Sequence, residues 1–407
     1  MSERELEIIL YGATGFTGQQ SAKYFAEHVG TRLRWGLGGR NLEKLRKVRA
    51  SLGEAFVDLP LIEADSQDLP ALRELSGQSQ VVLSTAGPFA LHGEKLVQAC
   101  LDTGTDYLDI TGETPWVRHL IDTHQARAER KGVRIIPFCG VDSIPSDLMT
   151  LWMARQAQRQ LGEPCQEVVG LFKVRGGLNG GTLASLLQMA QAGQLEALER
   201  PYLLNPGEEQ VRQTPADPIG LSWDPHWWAW TSPFVMAAIN TRVVRRSEAL
   251  YRLAGQSYGA GGESFVYREA AWSDELLPAK ALMAAGGMLT LQELLRIPQA
   301  TQWLQKIGPK PGEGPSEQTM EQGFLSAWFR SHTASGHVAK GHFFCAGDPG
   351  NRVTVKLLCE SALLLVEQRK DLPAAFAGGV LTPATGLGEA LLERLQAAGV
   401  RLSWQAE

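Results

Sequence analysis

An α/β fold is predicted, with a doubly wound parallel sheet at the N-terminus and a second, mixed α+β domain after it. Three observations predict it. Between Leu6 and Ser146, short apolar runs alternate with helix-compatible stretches six times, the pattern of βα units. Each apolar run ends in small or polar residues, as strands do where they feed a ligand crevice. After Leu161 the alternation stops, and segments of period two take over. The predicted division is 1–150 for the first domain and 151–349 for the second.

The first run, Leu6, Ile8, Ile9 and Leu10, reads as a strand buried on both faces. Tyr11-Gly12-Ala13-Thr14-Gly15-Phe16-Thr17-Gly18 follows at once, and a helix opens at Gln19. A strand that passes through glycines into a helix N-terminus is an anion site, because the glycines allow close backbone approach and the helix end offers free N–H groups. A dinucleotide pyrophosphate is the usual occupant of such a turn in a Rossmann domain. The spacing is G-x-x-G-x-x-G rather than G-x-G-x-x-G, so a turn that binds nothing is the alternative, disfavoured by its place after the first strand.

The second strand, Leu33 to Gly38, ends in Gly39-Arg40-Asn41. An NAD site places an acid near here, ~20 residues past the glycines, on the ribose 2′-hydroxyl. This chain has Arg40, with Lys44 one turn further on, and both are suited to a 2′-phosphate. The cofactor expected is therefore NADP(H); the alternative is a solvated helix start. Asn41 is a plausible N-cap for a helix to Leu52. A third strand, Leu59 to Ala64, leads to Asp65 and Asp68, either of which could lie near the adenine or cap the helix from Leu69 to Leu75. The fourth strand, Val81 to Ala86, places Thr85, Ala86, Gly87 and Pro88 at its carboxyl end, where they line the cofactor crevice. Strands Tyr107 to Ile110 and Val133 to Phe138 complete the domain, the last running into Cys139 to Asp147. In that segment Asp142 is expected to position the cofactor.

In the second part, Glu167 to Val174, Glu263 to Trp272, Phe324 to Ser331 and His337 to Cys345 alternate as strands, the last two forming a hairpin around Ser335-Gly336. Helices are expected over Leu183 to Ala192, Asn351 to Gln368 and Leu387 to Ala398. Leu276 to Ile297 is helix-like, but Lys280 and Glu293 interrupt it short of the ~20 apolar residues of a membrane span. Trp223, Trp227, Trp228 and Trp230 cluster within one loop region. They fit an aromatic mini-core, an apolar pocket wall or a contact with a membrane surface.

Composition narrows the function. The 407 residues carry a net charge of -5, which argues against nucleic acid as a partner. The charged N-terminus gives no sign of a signal peptide, and five scattered cysteines without a C-x-x-C pair read as reduced thiols, so a cytoplasmic location is expected. The histidines show no metal-ligand spacing, and no metal is expected.

Several segments together resemble the saccharopine dehydrogenase-like oxidoreductases: Y-G-A-T-G-F-T-G at Tyr11 to Gly18, T-A-G-P-F at Thr85 to Phe89, T-D-Y-L-D-I-T-G-E at Thr105 to Glu113 and G-V-D-S-I-P-S-D at Gly140 to Asp147. Within that group the chain is similar to bacterial proteins of the trans-acting enoyl reductase type, through N-T-R-V-V-R-R-S at Asn240 to Ser247, K-P-G-E-G-P-S at Lys310 to Ser316 and G-V-L-T-P-A at Gly379 to Ala384. The resemblance implies a Rossmann domain closed by a C-terminal segment, 350–407, that returns to it, and an NADP-type cofactor. It also implies an acyl substrate carried by a polyketide synthase in glycolipid synthesis. His92 stands where an aromatic Tyr is expected, which points to a different substrate if that position contacts it.

Enoyl reduction needs a proton donor beside the hydride, and His92 and Tyr107 are the candidates. Three readings stay open: an NADPH-dependent reductase of an apolar acyl substrate; an amino-acid dehydrogenase using Arg242, Arg245 and Arg246 for carboxylates; and a cofactor-binding, lipid-associated protein without turnover. A homodimer and peripheral contact with the inner face of a membrane are compatible with all three.

Overall fold

A computed structural model describes residues 4–177, 179–206, 220–259, 265–273, 282–283, 286–287, 290, 293–310 and 312–407. Its strands are β1 Leu6–Tyr11, β2 Trp35–Gly39, β3 Leu61–Glu63, β4 Ser79–Ser84, β5 Asp106–Asp109, β6 Arg134–Ile136, β7 Cys165–Arg175, β8 Ser222–Asp224, β9 Ala229–Ser232, β10 Val266–Ser273, β11 Phe324–Thr333, β12 Val338–Ala346, β13 Gly379–Val380 and β14 Arg401–Ala406. They form two seven-stranded sheets, β13-β6-β5-β4-β1-β2-β3 and β14-β12-β11-β7-β10-β9-β8.

The first sheet is parallel throughout, as the βα alternation requires. Within it β1 lies between β4 and β2, and successive residues of that strand feed opposite cores. Ile8 and Leu10 belong to one apolar cluster, Ile9 and Tyr11 to the other. This is why the run carries no polar alternation: both faces are covered by helices. The strand order reverses at β1, between β2 and β4, which sets the ligand crevice at the carboxyl ends of those strands.

The second sheet is mixed, with β7 and β10 parallel and the remaining neighbours antiparallel. The predicted hairpin is β11–β12, turning through Gly336 at φ +90°. Helices Ile144–Leu161 and Ala237–Leu253 cover one face of this sheet. Met153 presses on β12, where a Cβ on Gly341 would meet its sulfur at 2.4 Å.

Three expectations gain detail. The predicted division after residue 150 falls inside helix Ile144–Leu161, which starts at the end of the first sheet and continues unbroken onto the second. The C-terminal segment does return to the first sheet: β13 extends it beside β6, and helix Thr354–Glu367 packs on helix Phe16–His28 through a Tyr24–Glu360 hydrogen bond of 2.6 Å. Its last strand, β14, goes elsewhere and pairs with β12, so 350–407 joins both sheets. Within the Pro- and Gly-rich stretch 201–224, β8 forms where no strand is expected. The helix expected over Leu276 to Ile297 lies largely outside the described residues. Among the described residues, no helix is long and apolar enough to cross a membrane.

Candidate functional site

The glycine turn is built for contact at van der Waals limits. Gly12 has φ +82°, and a Cβ on it would lie 2.8 Å from the Ala86 nitrogen at the end of β4. A Cβ on Gly18 would lie 2.3 Å from the Gly12 carbonyl oxygen, so the helix seats directly on the turn. Thr85 fastens the two strand ends together. Its N–H donates to Tyr11 O at 2.9 Å, and its hydroxyl reaches Gly12 O at 3.2 Å. Helix Phe16–His28 opens with Gly15 at its N-cap and no side-chain cap, which leaves its first N–H groups to an anion. Thr14 is held locally, its carbonyl accepting from Gln19. Thr17 does the same one turn along, its carbonyl accepting from Ser21. Phe16 is covered by the second half of the chain, since a Cβ on Gly314 would meet its ring at 2.4 Å.

At the end of β2, Arg40 and Lys44 are both exposed, and Asn41 caps the following helix through Lys44 N at 2.8 Å. The two acids after β3 separate in role. Asp68 is the N-cap of helix Leu69–Gly77, whereas Asp65 is exposed, its carboxylate accepting from Gln67 N at 2.8 Å. An uncapped helix start, glycines in close contact and a cation at the β2 end fit a dinucleotide with a 2′-phosphate.

The two candidate proton donors are not brought together. His92 Nδ1 lies 3.0 Å from Ser66 Oγ, just past β3, and feels the charges of Arg40 and Asp65. Burial, then Arg40, push its pKa down. It therefore stands on the Arg40 side of the crevice, opposite in the sheet order to β5 and β6. Tyr107 is fully buried in β5, with its hydroxyl donating to Asp109 at 2.8 Å. Burial and Asp109 raise its pKa well above the ordinary tyrosine value. The phenol is thus enclosed in the sheet and spent on Asp109.

Asp142 sits at the other end of the crevice, past β6, where a Cβ on Gly112 would come within 3.5 Å of its Oδ2 and 3.0 Å of Ile239. Burial pushes its carboxyl up to about 6. The next residue, Ser143, has φ 141°, a strained conformation for a side-chain-bearing residue. It is braced from the second sheet: Ser143 Oγ donates to Asn240 at 3.0 Å, and Asn240 donates to Glu269 at 2.8 Å. Ser146 and Tyr267 donate to the same Glu269 carboxylate.

Sequence reasoning underrated one carboxylate. Glu113, past β5, is fully buried and accepts from Phe89 N at 2.8 Å, Ala90 N at 2.9 Å and Ser185 Oγ at 2.7 Å. It ties the Gly87-Pro88 end of the β4 loop to helix Gly180–Gln191 of the second part. The glutamate that ends T-G-E was visible; its partners are set by a fold that brings residues 72 positions apart together.

Arg242, Arg245 and Arg246 are built into the fold. All three are buried, and they donate to backbone carbonyls: Arg242 to Leu198, Arg245 to Pro201, Arg246 to Leu204 and Val380. The tryptophans lie along the second sheet. Trp227 meets Trp272 at 5.7 Å, Trp272 meets Trp328 at 4.1 Å, and Trp228 is 80% exposed.

Comparison with known proteins agrees with this architecture. Residues 8–136 match the saccharopine dehydrogenase NADP-binding domain family, so the cofactor is NADP(H). A trans-acting enoyl reductase of Mycobacterium bovis is 37% identical over 98% of this chain and 97% of its own length. The trans-acting enoyl reductase of Mycobacterium leprae is 37% identical with the same coverage. The saccharopine dehydrogenase (L-Glu forming) of Saccharomyces cerevisiae superposes with a TM-score of 0.55 over 99% of this chain and 100% of that one, at 13% identity, a likeness of fold. The chain belongs to the trans-acting enoyl reductase family of saccharopine dehydrogenase-like oxidoreductases.

Proposed function

We propose that this protein is an NADPH-dependent reductase of the enoyl group in an apolar acyl thioester, presented by an acyl carrier or polyketide synthase in lipid synthesis. The observation that carries the reading is the use of Arg242, Arg245 and Arg246 inside the fold. A saccharopine-type substrate presents several carboxylates, and the arginines suited to them are already bonded to carbonyls. The relatives' activity supports the enoyl substrate. Buried free cysteines suit the reducing cytoplasm. Steady-state NADPH oxidation tests the reading: 2-enoyl pantetheine thioesters are expected to be turned over and saccharopine not. Turnover of saccharopine alone would overturn it.

NADPH supplies hydride when bound, and the chain supplies position and a proton. Gly12 to Gly18 would hold the pyrophosphate, Thr85 to Pro88 would line the nicotinamide region, Arg40 and Lys44 would take the 2′-phosphate, and Asp65 would lie at the adenosine end. Arg40→Asp is expected to weaken NADPH binding by about 100-fold, the worth of a charge-assisted pair, while NADH changes little. Fluorescence titration with both cofactors checks this; equal losses would remove Arg40 from the phosphate.

Asp142 is the group we assign to hold the proton for the α-carbon. With its carboxyl raised to about 6, the protonated form prevails below that pH and is lost above it. Asp142→Asn is expected to lower kcat by about 10²- to 10⁴-fold and to flatten the fall in kcat as pH rises through 6. A variant that retains the wild-type pH profile would exclude this role.

A further inference from the structure

Beside the β4 loop lies a cavity of about 340 Å³, walled by Pro88 and Leu91 on one side and by Leu183, Ala184 and Leu187 of helix Gly180–Gln191 on the other. Gln305, Pro309 and Lys310 close the rim, and no acidic side chain lines it among the described residues. Leu91 is 48% exposed here, an apolar side chain left without a partner. Two features join the cavity to the cofactor crevice. Pro88 is at once the end of the strand loop that borders the crevice and part of the cavity wall. Glu113 then fixes the two walls to each other, because its carboxylate holds Phe89 N and Ala90 N from one and Ser185 Oγ from the other.

We infer that this cavity holds the apolar tail of the acyl chain, and that Ala184 and Leu187 set how long a tail is accepted. The inference rests on the enoyl thioester reading above. A tail is the occupant that the wall chemistry selects: the lining is aliphatic, its polar members are neutral amides, and its one cation stands at the rim. A compact polar substrate would leave the leucines uncovered, whereas each methylene transferred from water to such a wall strengthens binding about fourfold.

Calorimetric titration with saturated acyl pantetheines, from butanoyl to tetradecanoyl, tests the cavity without any turnover. Wild-type affinity is expected to climb about fourfold per methylene and then level off once the cavity is filled. Ala184→Phe is expected to bring that plateau to a shorter chain. Leu91→Glu, a change at an exposed position, is expected to remove most of the gain from long chains. NADPH titration shows that each variant is folded. A flat dependence on chain length in the wild type, or a plateau unmoved by both substitutions, would overturn the inference. The two proposals fail separately: chain-length-dependent binding with no reduction of 2-enoyl thioesters sinks the reductase reading alone, and reduction indifferent to chain length sinks the cavity alone.

Discussion

Gly18→Ala is expected to abolish measurable NADPH binding, a loss above about 100-fold, while the second sheet stays folded. The new methyl group would stand 2.3 Å from Gly12 O, 2.8 Å from Ala13 Cα and 2.9 Å from Thr85 Oγ1. Two of these are backbone atoms that cannot swing aside. Helix Phe16–His28 must instead lift from the turn, and overpacking of this kind costs about 1–3 kcal/mol. The same displacement separates the helix N–H groups from the strand end at Thr85, and both are needed on one anion. Fluorescence titration reads the loss, with circular dichroism as the check of folding. Wild-type affinity in the variant would show that the pyrophosphate is held elsewhere.

Arg246→Leu is expected to destabilise the whole chain by about 3 kcal/mol, roughly 1 kcal/mol for each of three neutral acceptors left unpaired. The guanidinium is 1% exposed and donates to Leu204 O, Val380 O and Gln125 Oε1, three acceptors from three separated parts of the chain. Burial lowers its pKa to about 9, yet it remains charged at neutral pH. Leucine fills part of the volume and leaves all three acceptors without that donor. Val380 belongs to β13, so the C-terminal segment should loosen first. A urea titration measures the effect; an unshifted midpoint would mean that water replaces the arginine at no cost.

These two residues also mark what was legible in the sequence. The first sheet was readable because its strands are buried on both faces and each ends in a recognisable turn; Gly12 and Gly18 announce the close contacts directly. Arg246 was not readable. A cluster of arginines on a helix looks like a receptor for anions, and only the fold shows Leu204 O and Val380 O lying in wait for it. Strand β13 is two residues long and β14 is an edge strand with mostly exposed side chains, so neither carries a hydrophobic period strong enough to see. Tyr107 is a related case, its enclosure by the fold being hidden in the sequence. Its place in a strand was evident, but an inward-facing phenol and an outward-facing one have the same neighbours in sequence. Asp142 and Glu113 were visible as polar residues at strand ends. Their separate tasks depend on Ile239, Asn240 and Ser185, which arrive from the second half of the chain.

The proposed reaction is a hydride transfer to the β-carbon of an enoyl thioester, followed by protonation at the α-carbon. NADPH deuterated at its transferring position, incubated with the protein and a 2-dodecenoyl pantetheine thioester, tests it directly. Mass spectrometry of the product is predicted to show a single deuterium, bound at C3, with the new hydrogen at C2 drawn from solvent. Unlabelled product, or deuterium found at C2 instead of C3, would contradict it.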